Sequence, residues 1–326
     1  MGRHALFHLL KSLSIRGPLM LPAYLCESVL EATRRLGIEV VFYDLEPTDL
    51  NASLESIDFL ARKFSCEAVL VASMYGNPAD LTRIESYCAE TGILLIDDAA
   101  QSFGSTLDGR LIGAFGNGGF FSFSPGKPTA GHMGAFFWSE KKIHITRTRH
   151  DLYHRLVYYD YYFNRLYRYQ FRKYKFGRLF SKLRRSLGSV LDVRDDDISN
   201  FEIEILGGIL KTQLIDGFSF RKKWSSEFAS KFVTSDYFRV IHSLRGDARP
   251  HKLVALCKDE STAKDMLLYL DERGIFALNG YRPLTRDFQY LPNLKKVTGC
   301  VVELPIEDSE TRMKFLLDAV TEFVGR

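Results

Sequence analysis

A chain of 326 residues, 46% hydrophobic and 26% charged, has the composition of an ordinary globular protein, with room for a large core in two domains or one large one. Its net charge of only +4 excludes a uniformly basic protein, but Arg147 to Arg185 hold twelve Lys/Arg against two Asp, so that segment carries +10 and the remainder −6. No apolar run approaches the roughly 18 residues of a membrane-spanning helix.

Helix and strand alternate over the first 140 residues. Gly2 to Ser14 places Leu6, Leu9, Leu10 and Leu13 at helical spacing. Leu19-Met20-Leu21-Pro22 reads as a short strand, Ser28 to Leu36 as a helix and Glu39 to Asp44 as a strand. Leu54 to Phe64 is helical, Ala68 to Ser73 a buried strand and Leu81 to Glu90 a further helix. Ile93 to Ile96, Gly119 to Phe123 and Ala135 to Trp138 complete the strands. Such alternation predicts an α/β fold with a mainly parallel sheet covered by helices on both faces. From Asp151 the pattern changes, and Tyr153 to Phe180 hold eight Tyr and four Phe among Arg and Lys. A helix is expected from about Glu202 into the 220s, crossing Gly207-Gly208. The last part, from about Val240, reads as a small α+β unit. Its strands are expected at Leu253 to Leu256 and Val301 to Leu304, its helices at Ser261 to Arg273 and Ser309 to Phe323.

Two apolar runs end abruptly in polar residues. Ile93 to Ile96 runs into Asp97-Asp98-Ala99-Ala100-Gln101, and Phe120-Phe121-Ser122-Phe123-Ser124 into Pro125-Gly126-Lys127. Buried parallel strands look this way when they deliver side chains to the carboxyl edge of a sheet, where ligands of open α/β folds sit. An acid and an amine at that edge suggest pyridoxal phosphate (PLP) chemistry. The bland readings stand beside this one: Asp97 and Asp98 as caps of a following helix, Ser122 as a core hydroxyl, Lys127 as a solvated surface residue. Cys26, Cys66, Cys88, Cys257 and Cys300 are odd in number and lack a CxxC pair, which argues against a disulfide framework or zinc site and fits a reducing cytoplasm. The opening Met1-Gly2-Arg3-His4-Ala5-Leu6 lacks a signal-peptide layout.

With these residues in place the chain resembles the DegT-like family of PLP-dependent sugar aminotransferases. That family shows an acidic-Asp-Ala-Ala-Gln run, a Phe-Ser-Phe-x-x-x-Lys segment and a Gly-rich loop. The counterparts are Asp97 to Gln101, Phe121 to Lys127, and Gly131-His132-Met133-Gly134. Weaker likenesses are Tyr75-Gly76-Asn77-Pro78-Ala79-Asp80, Gln213-Leu214 and Glu303-Leu304-Pro305. The resemblance implies the type I aminotransferase fold: a large PLP-binding domain over 1–200, interrupted at about 150–195, and a linking helix with a small α+β domain over 201–326. It also implies the roles. Lys127 would form the Schiff base with PLP and shuttle the proton, its pKa lowered by the site. Asp98 would pair with the pyridine nitrogen, Gln101 would touch the phenolic side, and Ser122 would bind the phosphate with the backbone of Gly2, Arg3 and His4. The reaction implied moves an amino group from glutamate or glutamine to a keto sugar, nucleotide-linked, for glycan or secondary-metabolite synthesis, in a cytoplasmic homodimer.

Three departures stand out. Gly2 to Leu6 matches the family's Ser-Gly-Thr-Ala-Ala-Leu with its serine missing and Arg3 in place of threonine, and members carry several dozen residues before this point. The position of the aromatic residue that stacks on the cofactor ring is Cys26, with Tyr24 a substitute only in a reshaped loop. The family's Asn-Tyr-Arg aligns with Ser199-Asn200-Phe201, leaving Asn200 displaced by one. His132 stands where the family has an acid, and no metal-ligand set accompanies it. These changes keep an inactive, scaffold-like homologue as the alternative. A PLP-dependent sugar dehydratase has histidine in place of the lysine, and Lys127 is present. The Tyr/Arg-rich segment reads as an internally packed insertion with snorkelling cations, as a peripheral membrane contact through 147–185, or, least of all, as a nucleic-acid surface, since no such motif accompanies it.

Overall fold

A computed structural model describes residues 2–124, 127, 134–143, 155, 216–307 and 309–326. The Gly131–Met133 loop, Asn200, Gln213-Leu214, the helix expected over 202–215 and, apart from Arg155, the 144–215 stretch lie outside the described residues.

The large layer forms in chain order as α1 (Gly2–Leu13), β1 (Leu19–Pro22), α2 (Ser28–Leu36), β2 (Val40–Tyr43), α3 (Leu54–Phe64), β3 (Ala68–Ala72), α4 (Leu81–Thr91) and β4 (Leu94–Asp98). A two-strand ribbon, β5 (Thr106–Leu107) and β6 (Arg110–Leu111), precedes β7 (Gly118–Ser122) and β8 (Ala135–Ser139). Each expected element of this region is present within two residues of its expected ends. Local chemistry sets the limits. The Ser53 hydroxyl accepts the Ser56 N–H to start α3, and Gly37 and Gly92, both left-handed, end α2 and α4. The sheet runs in the order β2-β1-β3-β4-β7-β8, with β8 antiparallel at the edge and the other pairings parallel. Strand side chains alternate between its faces. Leu19, Leu21, Ala68 and Leu70 pack with α1 on one side, and Met20, Val69 and Val71 pack with α3 and α4 on the other.

After the gap come α5 (Asp216–Lys231), β9 (Phe238–Ile241), β10 (Leu253–Cys257), α6 (Glu260–Glu272), β11 (Leu278–Asn279), α7 (Pro292–Val297), β12 (Val301–Leu304) and α8 (Glu310–Val324). The second sheet has the order β11-β12-β10-β9 and is antiparallel. Its outer face joins Trp224, Phe228, Met266 and Leu316 in a core of its own. From its inner face Ile241, Val254 and Val301 enter the same core as α1 and β1. The two sheets therefore meet through the core that they share with α1 and β1.

Candidate active site

Parallel register places Asp98 beside Ala72 on one flank and beside Phe120 on the other. β4 thus ends on Asp98 as β7 ends on Ser122, next to each other at the carboxyl edge. The Lys127 N–H donates to Ser124 O (3.1 Å), just past the end of β7, which ties the lysine to the same edge. Asp98, Gln101, Ser122, Lys127, Gly2 and Arg3 all line one cavity of about 280 Å³, with Cys26 and Ser124.

The two aspartates of the Asp-Asp pair part company because successive strand residues face opposite ways. Asp97, fully buried, accepts the Gly113 N–H (2.5 Å) and Phe115 N–H (3.2 Å) on Oδ2 and anchors the loop before β7. Asp98 faces the cavity. Its Oδ1 accepts the Ala100 N–H at 2.8 Å and caps a turn rather than a helix. Burial pushes the Asp98 carboxyl up to about 6, against the opposing pull of the Ala100 N–H and Lys127. Burial pushes the half-buried Lys127 amine down from its ordinary value, and Asp98, Cys26 and Glu303 oppose that. A lysine carried on a surface loop would show neither effect.

The other cavity residues are held by their neighbours. Gln101 Oε1 accepts the Tyr75 N–H (3.2 Å), so its amide is oriented by the turn after β3. The Ser122 and Ser124 hydroxyls lie 3.2 Å apart. A Cβ on Gly2 would sit 3.0 Å from Ser122 Cβ, so glycine lets the first turn of α1 close on that serine. Arg3 lines the cavity, but its Nη1 pairs with Glu31 across α1 and α2 at 2.7 Å. Cys26, hydrogen-bonded to Ser28 at 3.2 Å, stands on the cavity wall. Tyr24 turns away into the core, where its hydroxyl meets that of Tyr75 at 2.8 Å.

Behind this wall lies a group that sequence reasoning missed. Tyr24, Tyr75, Tyr281 and Glu303 form a buried polar cluster joining the two sheets. Tyr75 and Glu303 belong to stretches with family likeness, but their spacing carries no period. The one local sign of special geometry is Tyr75 itself, non-glycine at φ 58° before Gly76 at φ 90°. Among the described residues no group of three or more His, Cys, Asp or Glu is placed to hold a metal ion, and no helix is long and apolar enough to cross a membrane.

Residues 2–150 match the family described as the DegT/DnrJ/EryC1/StrS aminotransferase family. A 4-aminotransferase for dTDP-4-dehydro-2,3,6-trideoxy-D-glucose from Saccharopolyspora spinosa is 31% identical over 160 residues, 48% of this chain and 40% of that relative. The chain thus aligns with well under half the length of this curated relative. Among solved structures, the aminotransferase TlmJ from Streptoalloteichus hindustanus superposes over 99% of this chain and 84% of its own, with a TM-score of 0.75 at 19% identity. An E. coli GDP-4-keto-6-deoxy-D-mannose-3-dehydratase with bound hydrated PLP superposes over 98% of this chain and 85% of its own, with a TM-score of 0.70 at 16% identity. Residues 2–150 thus carry a likeness to the DegT/DnrJ/EryC1/StrS aminotransferase family, and over its described length the chain shares the type I fold of these solved structures.

Proposed function

We propose that the protein is a PLP-dependent aminotransferase that moves an amino group from an amino acid such as glutamate to a keto sugar, in nucleotide-linked form, for glycan synthesis. The observation that carries this reading is the convergence of Asp98 and Lys127 on one cavity, at the edge where two adjacent strands end.

The residues present fit the cofactor. Asp98 is a buried carboxylate whose raised pKa calls for a cation, as a protonated pyridine nitrogen would supply. Ser122, Ser124 and the glycine-led first turn of α1 offer hydroxyl and N–H donors suited to a phosphate. PLP would contribute an aldehyde and an electron-withdrawing ring. Asp98 would keep that ring protonated, Gln101 would contact its phenolic side, and Gly2, Arg3 and Ser122 would hold the phosphate. Lys127 Nζ, with its depressed pKa, is the base that would carry the proton to and from the reacting carbon. Cys26 offers a smaller and softer wall than an aromatic ring, which weakens cofactor affinity without changing the reaction type. A cytoplasmic homodimer is part of the proposal, and five free cysteines accord with a reducing compartment.

The test is the visible spectrum of the purified protein with added PLP. A borohydride-sensitive band that Lys127→Ala abolishes is expected, and its amplitude should change on adding an effective amino donor. No band at excess PLP would overturn the enzyme reading in favour of a scaffold protein.

A further inference from the structure

Along α5 the basic residues differ in how they are neutralised. Lys222 pairs with Asp247 at 2.6 Å and Lys223 with Glu310 at 2.5 Å, and Arg249 shares Asp247 at 2.7 Å. Arg221, next to them and half-buried, has no carboxylate partner among the described residues. Its Nη1 donates to the His251 carbonyl at 3.3 Å, and the rest of its fork meets no protein acceptor there. That hydrogen bond sets the guanidinium against the peptide that joins His251 to Lys252.

Both residues of that peptide are unmatched as well. The half-buried Lys252 ammonium meets no hydrogen-bond or ion-pair partner among the described residues. His251 is only 8% exposed, and its Nδ1 is buried without a partner. Burial lowers the pKa of all three groups, and the charges of Lys127, Lys252 and Arg221 push His251 further the same way. The carboxylates that favour a charged Lys252 are engaged elsewhere: Glu303 accepts the Tyr75 hydroxyl at 2.8 Å, and Glu307 pairs with Arg312 at 3.6 Å. Two desolvated cations and an orphaned imidazole, with no acid paired to any of them, are unfavourable until an anion joins them.

The basic group is tied to the cavity wall by hydrogen bonds. The His251 N–H donates to Tyr75 O at 2.8 Å, and the Tyr75 N–H donates to Oε1 of Gln101, a cavity residue, at 3.2 Å. We propose that Arg221, His251 and Lys252 form an oxyanion subsite beside the cavity, which binds a carboxylate or phosphate group of the substrate. The planar fork of Arg221 suits either group bidentately, Lys252 supplies a point charge, and a neutral His251 offers one ring N–H. The substrate's identity rests on the function proposed above, in which the amino donor carries the carboxylates and the nucleotide-linked sugar carries the phosphates.

The test reads anion binding directly and needs no cofactor. The whole chain is titrated calorimetrically at low ionic strength with glutarate, a carboxylate probe, and with inorganic pyrophosphate. At least one should bind, and whichever does names the source: glutarate the amino donor, pyrophosphate the nucleotide-linked sugar. Arg221→Gln and Lys252→Gln should each weaken that binding by about tenfold or more, as loss of a charged hydrogen bond does. Lys252→Gln removes a side chain that holds no other group, so it serves should Arg221→Gln fail to fold. Ser122→Ala alters the phosphate cradle inside the cavity and should leave the subsite's affinity unchanged. Binding of neither probe overturns the inference, as does binding that only Ser122→Ala weakens, or equal affinity in the wild type and the folded Arg221 and Lys252 variants. The Lys127-dependent PLP band is scored separately, so failure of the proposed function is distinguishable from failure of the subsite.

Discussion

A single carboxyl group, that of Asp97, shows how the site's neighbourhood trades stability for geometry. Its Oδ2 takes two backbone N–H groups, while its Oδ1 is buried without a partner. Burial, with Asp98 adding to it, pushes its pKa up to about 7, against the Gly113 and Phe115 N–H groups and Arg110. In the unfolded chain an aspartate titrates near ~3.9. Between that pH and about 7 the folded protein therefore holds a proton that the unfolded chain has lost. Stability falls as pH rises through this window, the reverse of an ion-paired carboxylate. Asp98, raised to about 6, adds a slope of the same sign in the cofactor-free protein. Asp97→Asn keeps an acceptor for the two N–H groups and cannot ionise, so it should flatten the loss of Tm between about pH 4.5 and 7.5, leaving the Asp98 part. Calorimetry across that range checks this, and an unchanged slope would contradict the assignment. The Asp-Asp pair was legible in the sequence as chemistry at a strand end. The division of labour within it follows from strand alternation.

Among the elements, α5 shows what an aromatic helix does for the second sheet. Trp224 and Phe228 are fully buried, and Phe228 stacks on Phe238 of β9 at 6.1 Å with Phe232 beside it at 5.0 Å. Truncating Phe228 removes the centre of that cluster. Phe228→Ala should cost about 3–5 kcal/mol, the range for deleting a buried aromatic, read as a lower urea midpoint at unchanged m-value. A loss under about 1 kcal/mol would mean that the neighbouring rings close the cavity. Elements long enough to show a period were readable: α1 from its leucine stripe, β3 from an unbroken apolar run, α6 and α8 from helical spacing. Those that escaped were short. β5, β6 and β11 have two residues each, β9 four and α7 six, so none repeats often enough to betray its type. The polar cluster escaped for a different reason. Its partners lie 51 and 228 residues apart, and only the completed fold brings them together.

Across the whole molecule, the question is whether the two sheets behave as one body. They share the core in which Val254 and Val301 pack with Leu6 and Leu19, and polar contacts cross the same boundary. Asp44, just past β2, is 3% exposed and accepts the Asn293 N–H on Oδ2 and the Leu294 N–H on Oδ1, each at 2.8 Å. It thereby caps the first turn of α7 from a distant part of the chain, and the Asn293 amide answers by donating to Leu45 O at 3.0 Å. Arg245 reaches back to the buried Asp49 at 2.7 Å. Asp44→Ala would strand the two α7 N–H groups and that of Leu45, and should cost about 2–3 kcal/mol. Its distinctive consequence is in where the loss is felt. Trp138 lies on β8 and Trp224 in the second sheet's own core, so Trp138→Phe leaves fluorescence that reports on Trp224, while Trp224→Phe leaves the report of Trp138. If the shared core couples the sheets, the two reporters should unfold at one urea midpoint, and Asp44→Ala should lower both together. Two separated midpoints, with Asp44→Ala lowering only the Trp224 transition, would mean that the second sheet opens by itself. The second sheet's inner face would then be able to leave the core around α1 and β1 without unfolding the parallel sheet.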